Sequence, residues 1–336
     1  MVDRGNEDGA RRVINISDVT PKGALFVRGP RGAEWRDYSG LPANALERRI
    51  RRPRLSRLRA AWTGVYDAGR SPIISHLPRM TAAVSLAQFV QHNRSPHLAF
   101  AFNFTDLPTG GDYRRLRHAF SSVDRFCVFS HYELDAYPGI FGLPPERFIR
   151  MPWTQQTPTV SDAPSQFPAK TYVSAVGGEG RDYATLLEAA RRLPHEKFVV
   201  VARPWSIQGD VPDNMTVLTN LESSLTWRIV KDSKLLVVPL KSRTTCCGHI
   251  TIVSAAQLGV PMVSSVSEAT REYTEDAVLY EPGNAAELAE RIDHGSRTWE
   301  MLTKRAMELR AMNLAQYDRV LWEVPIGEFL EEAWRR

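Results

Sequence analysis

The chain has 336 residues, long enough for two domains of ordinary size, and its 43% hydrophobic and 24% charged residues are the proportions of a soluble globular protein. No run approaches the roughly 20 consecutive apolar residues that a membrane helix needs. The polar opening MVDRGNEDGARR is unlike a secretory signal, and Cys127, Cys246 and Cys247 form neither a disulfide framework nor a zinc-ligand spacing, so a cytoplasmic protein is expected.

In chain order, the first half offers short strand candidates at 13–16, 24–27, 73–75, 97–102 and 125–130, with helical stretches at 80–91, 113–120 and 131–137. This alternation predicts a parallel sheet covered by helices. The net charge of +5 is unevenly placed: Arg48, Arg49, Arg51, Arg52, Arg54, Arg57 and Arg59 crowd one segment together with Ile50, Leu55, Leu58 and Trp62. Such a segment can lie on an anionic membrane surface, hold nucleic-acid phosphates, or be a solvated basic helix or loop. No second nucleic-acid motif accompanies it, so nucleic acid is not an expected partner. Residues 155–170, rich in Pro, Ser, Thr and Gln and without an apolar period, are the linker candidate.

The second half alternates more clearly. Strands are predicted at 171–176, 197–202, 215–218, 234–240, 262–265 and 278–280, and helices at 182–193, 225–230, 250–258, 285–292 and 299–312, before an amphipathic end at 317–334. The stretch after Leu240 is the most informative. A buried strand runs into a glycine turn and then a helix, whose first amides lack internal partners and whose dipole favours negative charge. A diphosphate would fit at Gly248, His249, Ile250 and Thr251; the alternative is one more strand–helix unit in which the glycine only turns the chain. The spacing G-x-G-x-x-G fails at Gly177, Gly178 and Gly180, there is no P-loop lysine and no G-x-S-x-G elbow, which sets aside a dehydrogenase, a P-loop enzyme and an α/β-hydrolase.

Three stretches carry a family likeness: GHITIVSAAQLGVPMV (248–263), VGGEGRDYATLLEA (176–189) and DRFCVFSHYELDAYPGIFGLPPERFIRM (124–151), followed by a Tyr280-Glu281-Pro282-Gly283-Asn284 tail. Together they resemble the GT-B glycosyltransferases of the retaining family-four type. The resemblance implies an α/β GT-B fold of two Rossmann-like domains facing a central cleft. It places an acceptor-side domain at 1–160, a nucleotide-sugar domain at 168–315, and a C-terminal helix at 316–336 that packs back on the first domain. It also implies transfer of a hexose from a UDP- or GDP-sugar to a glycan or lipid-linked acceptor, in surface polysaccharide or glycoconjugate synthesis, with retention and without a metal or cofactor. The cytoplasm is the expected place of work, with peripheral attachment to the inner face of the membrane as the option that the arginine segment adds.

In such enzymes helix amides and a basic side chain stabilise the leaving diphosphate. Arg181 is the candidate, a guanidinium being suited to bidentate contact with phosphate, and its alternative is a pair with a surface carboxylate. Lys241 and Arg243 are second candidates, with loop solvation as the alternative. The family's Glu-x7-Glu positions, which contact the sugar and the donor ribose, are occupied by Cys246 and Ser254; Ser254 can still make one hydrogen bond. Glu272 stands where the family often places a glutamate near the sugar. On the acceptor side, His76, Asn103 and Asp106 are the catalytic candidates, with a structural role for His76 and turn capping for Asp106 as alternatives. Ser130 and Glu133 are further polar groups at strand ends. The replacements leave open a non-catalytic nucleotide-sugar-binding protein, and the shared architecture leaves open a nucleotide-sugar epimerase. A membrane-docked scaffold relying on the arginines is the last alternative.

Overall fold

The computed structural model describes residues 11–19, 33–43, 47, 49, 53–274 and 277–336. The strand candidate at 24–27, together with Arg48, Ile50, Arg51 and Arg52 of the arginine-rich segment, lies outside them. Two compact units emerge: the first comprises residues 1–103, 107–152 and 319–336, the second residues 104–106 and 153–318.

In the first unit six strands, β1 (Arg12–Ser17), β2 (Glu34–Ser39), β3 (Ile73–His76), β4 (His97–Phe100), β5 (Arg125–Val128) and β6 (Phe148–Arg150), form one sheet in the order β2-β1-β3-β4-β5-β6. All its pairings are parallel. Parallel strands need crossovers, and α1 (Pro53–Ala68), α2 (Pro78–Val90), α3 (Gly110–Phe120) and α4 (His131–Phe141) supply those that follow β2, β3, β4 and β5. The central strands β3 and β4 are buried at every residue, which is why they read as apolar runs. β2, EWRDYS, has no fully buried residue, with Glu34 and Asp37 exposed and the rest half-buried; it is an edge strand that the sequence reading did not find.

One core gathers Ile14, Ile16, Ala60, Val65, Ile73, Met80 and Val84 between β1, β3, α1 and α2. Another is aromatic: the Phe102 ring lies 4.7 Å from both Phe120 and Phe126, and Phe126 stacks on Phe148 at 4.8 Å. After the second unit the chain returns as α10 (Glu323–Arg335). Trp322 meets Phe100 at 4.9 Å and donates to the Pro152 carbonyl at 2.6 Å, and Arg11 pairs with Glu331 at 2.6 Å.

Arg57 is held by Asp18 at 2.6 Å and Arg59 by Glu47 at 2.8 Å, so two of the seven arginines already have carboxylate partners. One expectation is corrected here. Ser130 and Glu133 do not line a site. The Ser130 hydroxyl accepts from the Glu133 amide at 3.1 Å, and the fully buried Glu133 carboxylate accepts from the Phe129 amide at 3.0 Å, a capping box that starts α4.

The second unit carries β7 (Val173–Val176), β8 (Phe198–Val201), β9 (Met215–Leu218), β10 (Leu235–Val238), β11 (Met262–Ser265) and β12 (Val278–Tyr280) in the order β12-β11-β10-β7-β8-β9, again all parallel. Its helices are α5 (Tyr183–Arg191), α6 (Ser223–Asp232), α7 (His249–Leu258), α8 (Ala285–Arg297) and α9 (Trp299–Gln316). Leu186, Leu187 and Ala190 of α5 and Leu288 and Ile292 of α8 close over Val173, Phe198 and Val237. The stretch read as a linker is irregular but tied down: the Lys170 ammonium donates to the carbonyls of Lys231 and Ser233 at 3.0 and 2.8 Å, and Arg228 donates to the Ser161 carbonyl at 2.8 Å. The chain winds outward from β7 to β8 and β9, then returns to place β10 on the other side of β7. The carboxyl ends of β7 and β10 therefore flank the reversal point of the sheet, where open parallel sheets bind their ligands.

Candidate functional site

Two loops meet at that reversal point. One leaves β7 as Gly177-Gly178-Glu179-Gly180-Arg181; the other leaves β10 and enters α7 at Gly248. Backbone bonds lock them together. The Asp182 amide donates to the Pro239 carbonyl at 2.7 Å, the Lys241 amide to the Gly180 carbonyl at 3.2 Å, and Arg181 and Leu240 form an isolated bridge. Asp182 then caps α5, accepting from the Thr185 amide at 3.0 Å. Gly180 and Gly248 have φ of 65° and 104°, and a Cβ on Gly180 would run into the Cys247 sulfur.

Arg181 is the centre of this arrangement. It is only 7% exposed, and its partners are neutral: Nε donates to the Val176 carbonyl at 3.3 Å, Nη1 to the Glu179 carbonyl at 3.2 Å, and Nη2 to the Thr251 hydroxyl at 2.9 Å. Nη1 also approaches the Cys247 sulfur at 3.8 Å. Among the described residues no carboxylate pairs with it, so the surface ion pair considered from sequence is not what forms. One Nη2 hydrogen has no acceptor among the described residues. A buried cation without a counter-charge is costly, and the arrangement calls for an anion.

The helix mouth supplies the second half. No side chain caps α7 at Gly248, and its internal ladder begins with the Ile252 amide bonded to the Gly248 carbonyl at 3.0 Å. The amides of His249, Ile250 and Thr251 thus precede the ladder, at the positive end of the helix. Thr251 links the two halves, since it belongs to the first turn of α7 and also holds the guanidinium. Lys241 is exposed, its ammonium has no partner among the described residues, and its backbone is pinned to the same loop.

Thr105, Asp106 and Cys247 edge the site. Cys247 is half-buried, and burial raises its thiol above the ordinary range even though Arg181 and a Thr105 hydrogen bond act the other way. Asp106 is exposed and close enough to bear on that thiol. The sequence reading assigned Cys247 no role; only the close approach of Gly180, a tertiary contact, places it here.

Several expected members are elsewhere. His249 is 3% exposed; it donates to the Ala269 carbonyl at 3.2 Å, stacks on Trp153 at 6.0 Å and meets Tyr273 edge-on at 5.0 Å, so only its amide faces the mouth. Burial lowers its pKa to about 4. Ser254, expected to reach a ribose, is fully buried and accepts from the Gln155 amide at 2.6 Å. Cys246, expected near the sugar, is 1% exposed, with its sulfur turned to the Thr244 carbonyl at 3.4 Å. Arg243 is bound to Glu281 and lies 3.6 Å from Glu268, so its charge is already matched. Glu272 is half-buried in a single 3-10 turn, within electrostatic reach of His249.

In the first unit, His76 is fully buried, 2.6 Å from Asn15 and edge-on to Phe100 at 5.1 Å, and burial lowers its pKa to about 3. It is a core histidine, which corrects its acceptor-side role. Asn103 is half-buried just after β4, its amide donating to the Ala101 carbonyl at 2.9 Å. Residues Leu77 and Ala101, at the carboxyl ends of β3 and β4, hold φ of 69° and 54°. Such strain at adjacent strand ends costs about 1–3 kcal/mol each and concentrates at functional sites; sequence gave no sign of it.

No protein-family model and no curated protein matches the chain. Solved structures do. HepE from Anabaena, in complex with UDP and glucose, aligns over 96% of this chain and 100% of its own with a TM-score of 0.69 at 13% identity. A sucrose-phosphate synthase from Thermosynechococcus elongatus aligns over 92% and 85% with a TM-score of 0.67 at 15% identity. The fold is that of the GT-B glycosyltransferases. A glycosyltransferase from Rickettsia africae, at 11% identity and a TM-score of 0.65 over 98% of this chain and 100% of that one, shares it. In this GT-B chain the Arg181 mouth occupies the reversal point of the second Rossmann-like sheet.

Proposed function

We propose that the protein is a glycosyltransferase whose second unit holds a nucleotide diphosphate sugar and delivers the hexose to a glycan or lipid-linked acceptor. The observation that carries this reading is the buried, carboxylate-free Arg181 guanidinium fixed by Thr251 at the uncapped start of α7. Arg181 would neutralise the developing charge on the leaving diphosphate, the amides of His249, Ile250 and Thr251 would receive its oxygens, and Lys241 would approach from the exposed side. These groups are already in place before the donor arrives, so little reorganisation is needed as charge develops. No step of this stabilisation calls on a metal or cofactor. The HepE complexes with UDP and with UDP-glucose favour a uridine donor, with GDP as the comparison base. Retention at the anomeric carbon, a place in surface polysaccharide or glycoconjugate synthesis, and work at the cytoplasmic face of a membrane complete the reading, with Asn103 and Asp106 as the remaining acceptor-side candidates.

The test is calorimetric titration with UDP, GDP and UDP-glucose, followed by transfer assays over a panel of donors. Binding that drops about 10²–10³-fold in Arg181→Ala is expected. Absence of nucleotide binding, or binding indifferent to Arg181, overturns the assignment. Burial of Cys246 and Ser254 where the family carries glutamates favours one second reading, a nucleotide-sugar-binding protein without turnover; nucleotide binding with no transfer from any donor would select it.

A further inference from the structure

The outer surface of the α1–α2 pair in the first unit carries large apolar side chains that are exposed, among them Trp62, Tyr66, Leu86 and Phe89. The inner faces of these helices form the core with β1 and β3 through Ala60, Ala61, Val65, Met80 and Val84. On the opposite side, Leu58 and Trp62 of α1 and Leu86 and Val90 of α2 line an apolar groove of about 420 Å³. The stripe continues at helical spacing to Tyr66 and Phe89, which are 80% and 76% exposed. A surface helix of a globular protein keeps one apolar face, and these two have a second one turned to solvent.

Charge identifies the occupant. Residues 53–94 contain Arg54, Arg57, Arg59, Arg70, Arg79 and Arg94 against Asp67 alone. Asp67 is taken up by Arg36 at 3.1 Å and Tyr38 at 2.7 Å, and Arg57, Arg59 and Arg79 have carboxylate partners. Arg54, Arg70 and Arg94 are exposed and form no ion pair among the described residues. A second copy of this chain on the same face would bring arginines against arginines. A bilayer with anionic headgroups meets both properties, because aromatic and aliphatic side chains enter the headgroup–acyl boundary while unpaired arginines remain at headgroup level.

We propose that the outer face of α1 and α2 docks this protein on anionic lipid membranes, with Trp62, Tyr66, Leu86 and Phe89 inserting and Arg54, Arg70 and Arg94 contacting headgroups. Of the arginine run this attachment uses Arg54, whereas Arg57 and Arg59 are internally paired. It does not depend on nucleotide-sugar binding.

The experiment is co-sedimentation of the full chain with vesicles of phosphatidylcholine alone and of phosphatidylcholine mixed with phosphatidylglycerol. The expected result is binding to the mixed vesicles only. Phe89→Glu and Trp62→Glu, at side chains that face solvent, should each weaken it roughly ten-fold or more, and Arg54→Gln and Arg94→Gln roughly five-fold each. Unchanged circular dichroism and UDP affinity would certify that the variants fold and keep the donor reading separate. No binding to mixed vesicles, binding indifferent to Phe89 and Trp62, or a solution dimer that Phe89→Glu dissociates would overturn the proposal.

Discussion

The carboxyl ends of β3 and β7 repay comparison. Each belongs to the interior of a wholly parallel six-stranded sheet, and each is followed by a turn into a helix. At the end of β3 the polar residue is His76, sealed between Asn15 and Phe100. After β7 it is Arg181, a permanent cation held by carbonyl and hydroxyl oxygens at an uncapped helix start. The lesson is that topology selects the place but charge balance selects the use. A polar side chain whose bonding can close inside the core becomes architecture. One whose charge cannot be matched by its neighbours is left asking for a ligand.

That contrast can be broken by substitution. The largest effect is expected from Arg181→Lys, because a lysine keeps the charge but loses the planar fork; UDP affinity should still fall about 10–100-fold by calorimetry, and recovery to wild-type level would show that a point charge suffices. Next, Gly180→Ala places a methyl against Cys247 in a backbone with φ of 65°, and should cost roughly 1–3 kcal/mol in denaturant unfolding together with most donor binding. His76→Ala should be the reverse. Loss of a buried ring that packs on Phe100 and bonds Asn15 should cost about 2–4 kcal/mol of stability and leave UDP affinity unchanged. A nucleotide-binding defect in His76→Ala would erase the distinction.

Acidity sharpens the same comparison. Burial lowers His76 and His97 to about 3 and His249 to about 4, from an ordinary 6.5. Between those values the unfolded chain binds protons that the folded one refuses, so stability is full above about pH 6.5 and declines as pH falls toward 4 and then 3. Thermal melts taken from neutral to acid pH should fall steadily across that window, less so in His249→Gln. The smallest effect belongs to Arg243→Gln, an exposed pair with Glu281, expected to move stability by no more than about 0.5–1 kcal/mol and donor affinity little.

Much of this was legible before the structure. Strands at 215–218, 262–265 and 278–280 announce themselves as apolar runs between turn residues, and they form at those positions. Gly248, Thr251 and Arg181 could be singled out as candidates because a glycine turn, a helix start and a guanidinium have local meanings, and the fold brings Arg181 and Thr251 together. β2 escaped because an edge strand with Glu34, Arg36 and Asp37 has no apolar period, and α1 escaped because its apolar residues point both ways and its arginines blur the repeat. Ser254 and Cys246 went astray because spacing says nothing of Gln155 or Thr244, the partners that claim them. The fate of His76 depended on Asn15, a distant residue no local pattern connects to it.

The return of residues 319–336 to the first unit has a consequence for biogenesis. Trp322 packs on Phe100, and Trp334 reaches the Arg12 carbonyl at 3.4 Å. The sheet of the first unit therefore lacks its Trp322–Phe100 contact until residues 319–336 are made, while every segment of the second unit precedes them. Since the pairings among the described strands are all parallel, they join segments that are distant along the chain, a slow route that lengthens the wait. A nascent chain halted before residue 319 should leave the second unit protease-resistant and the first one a client for chaperones.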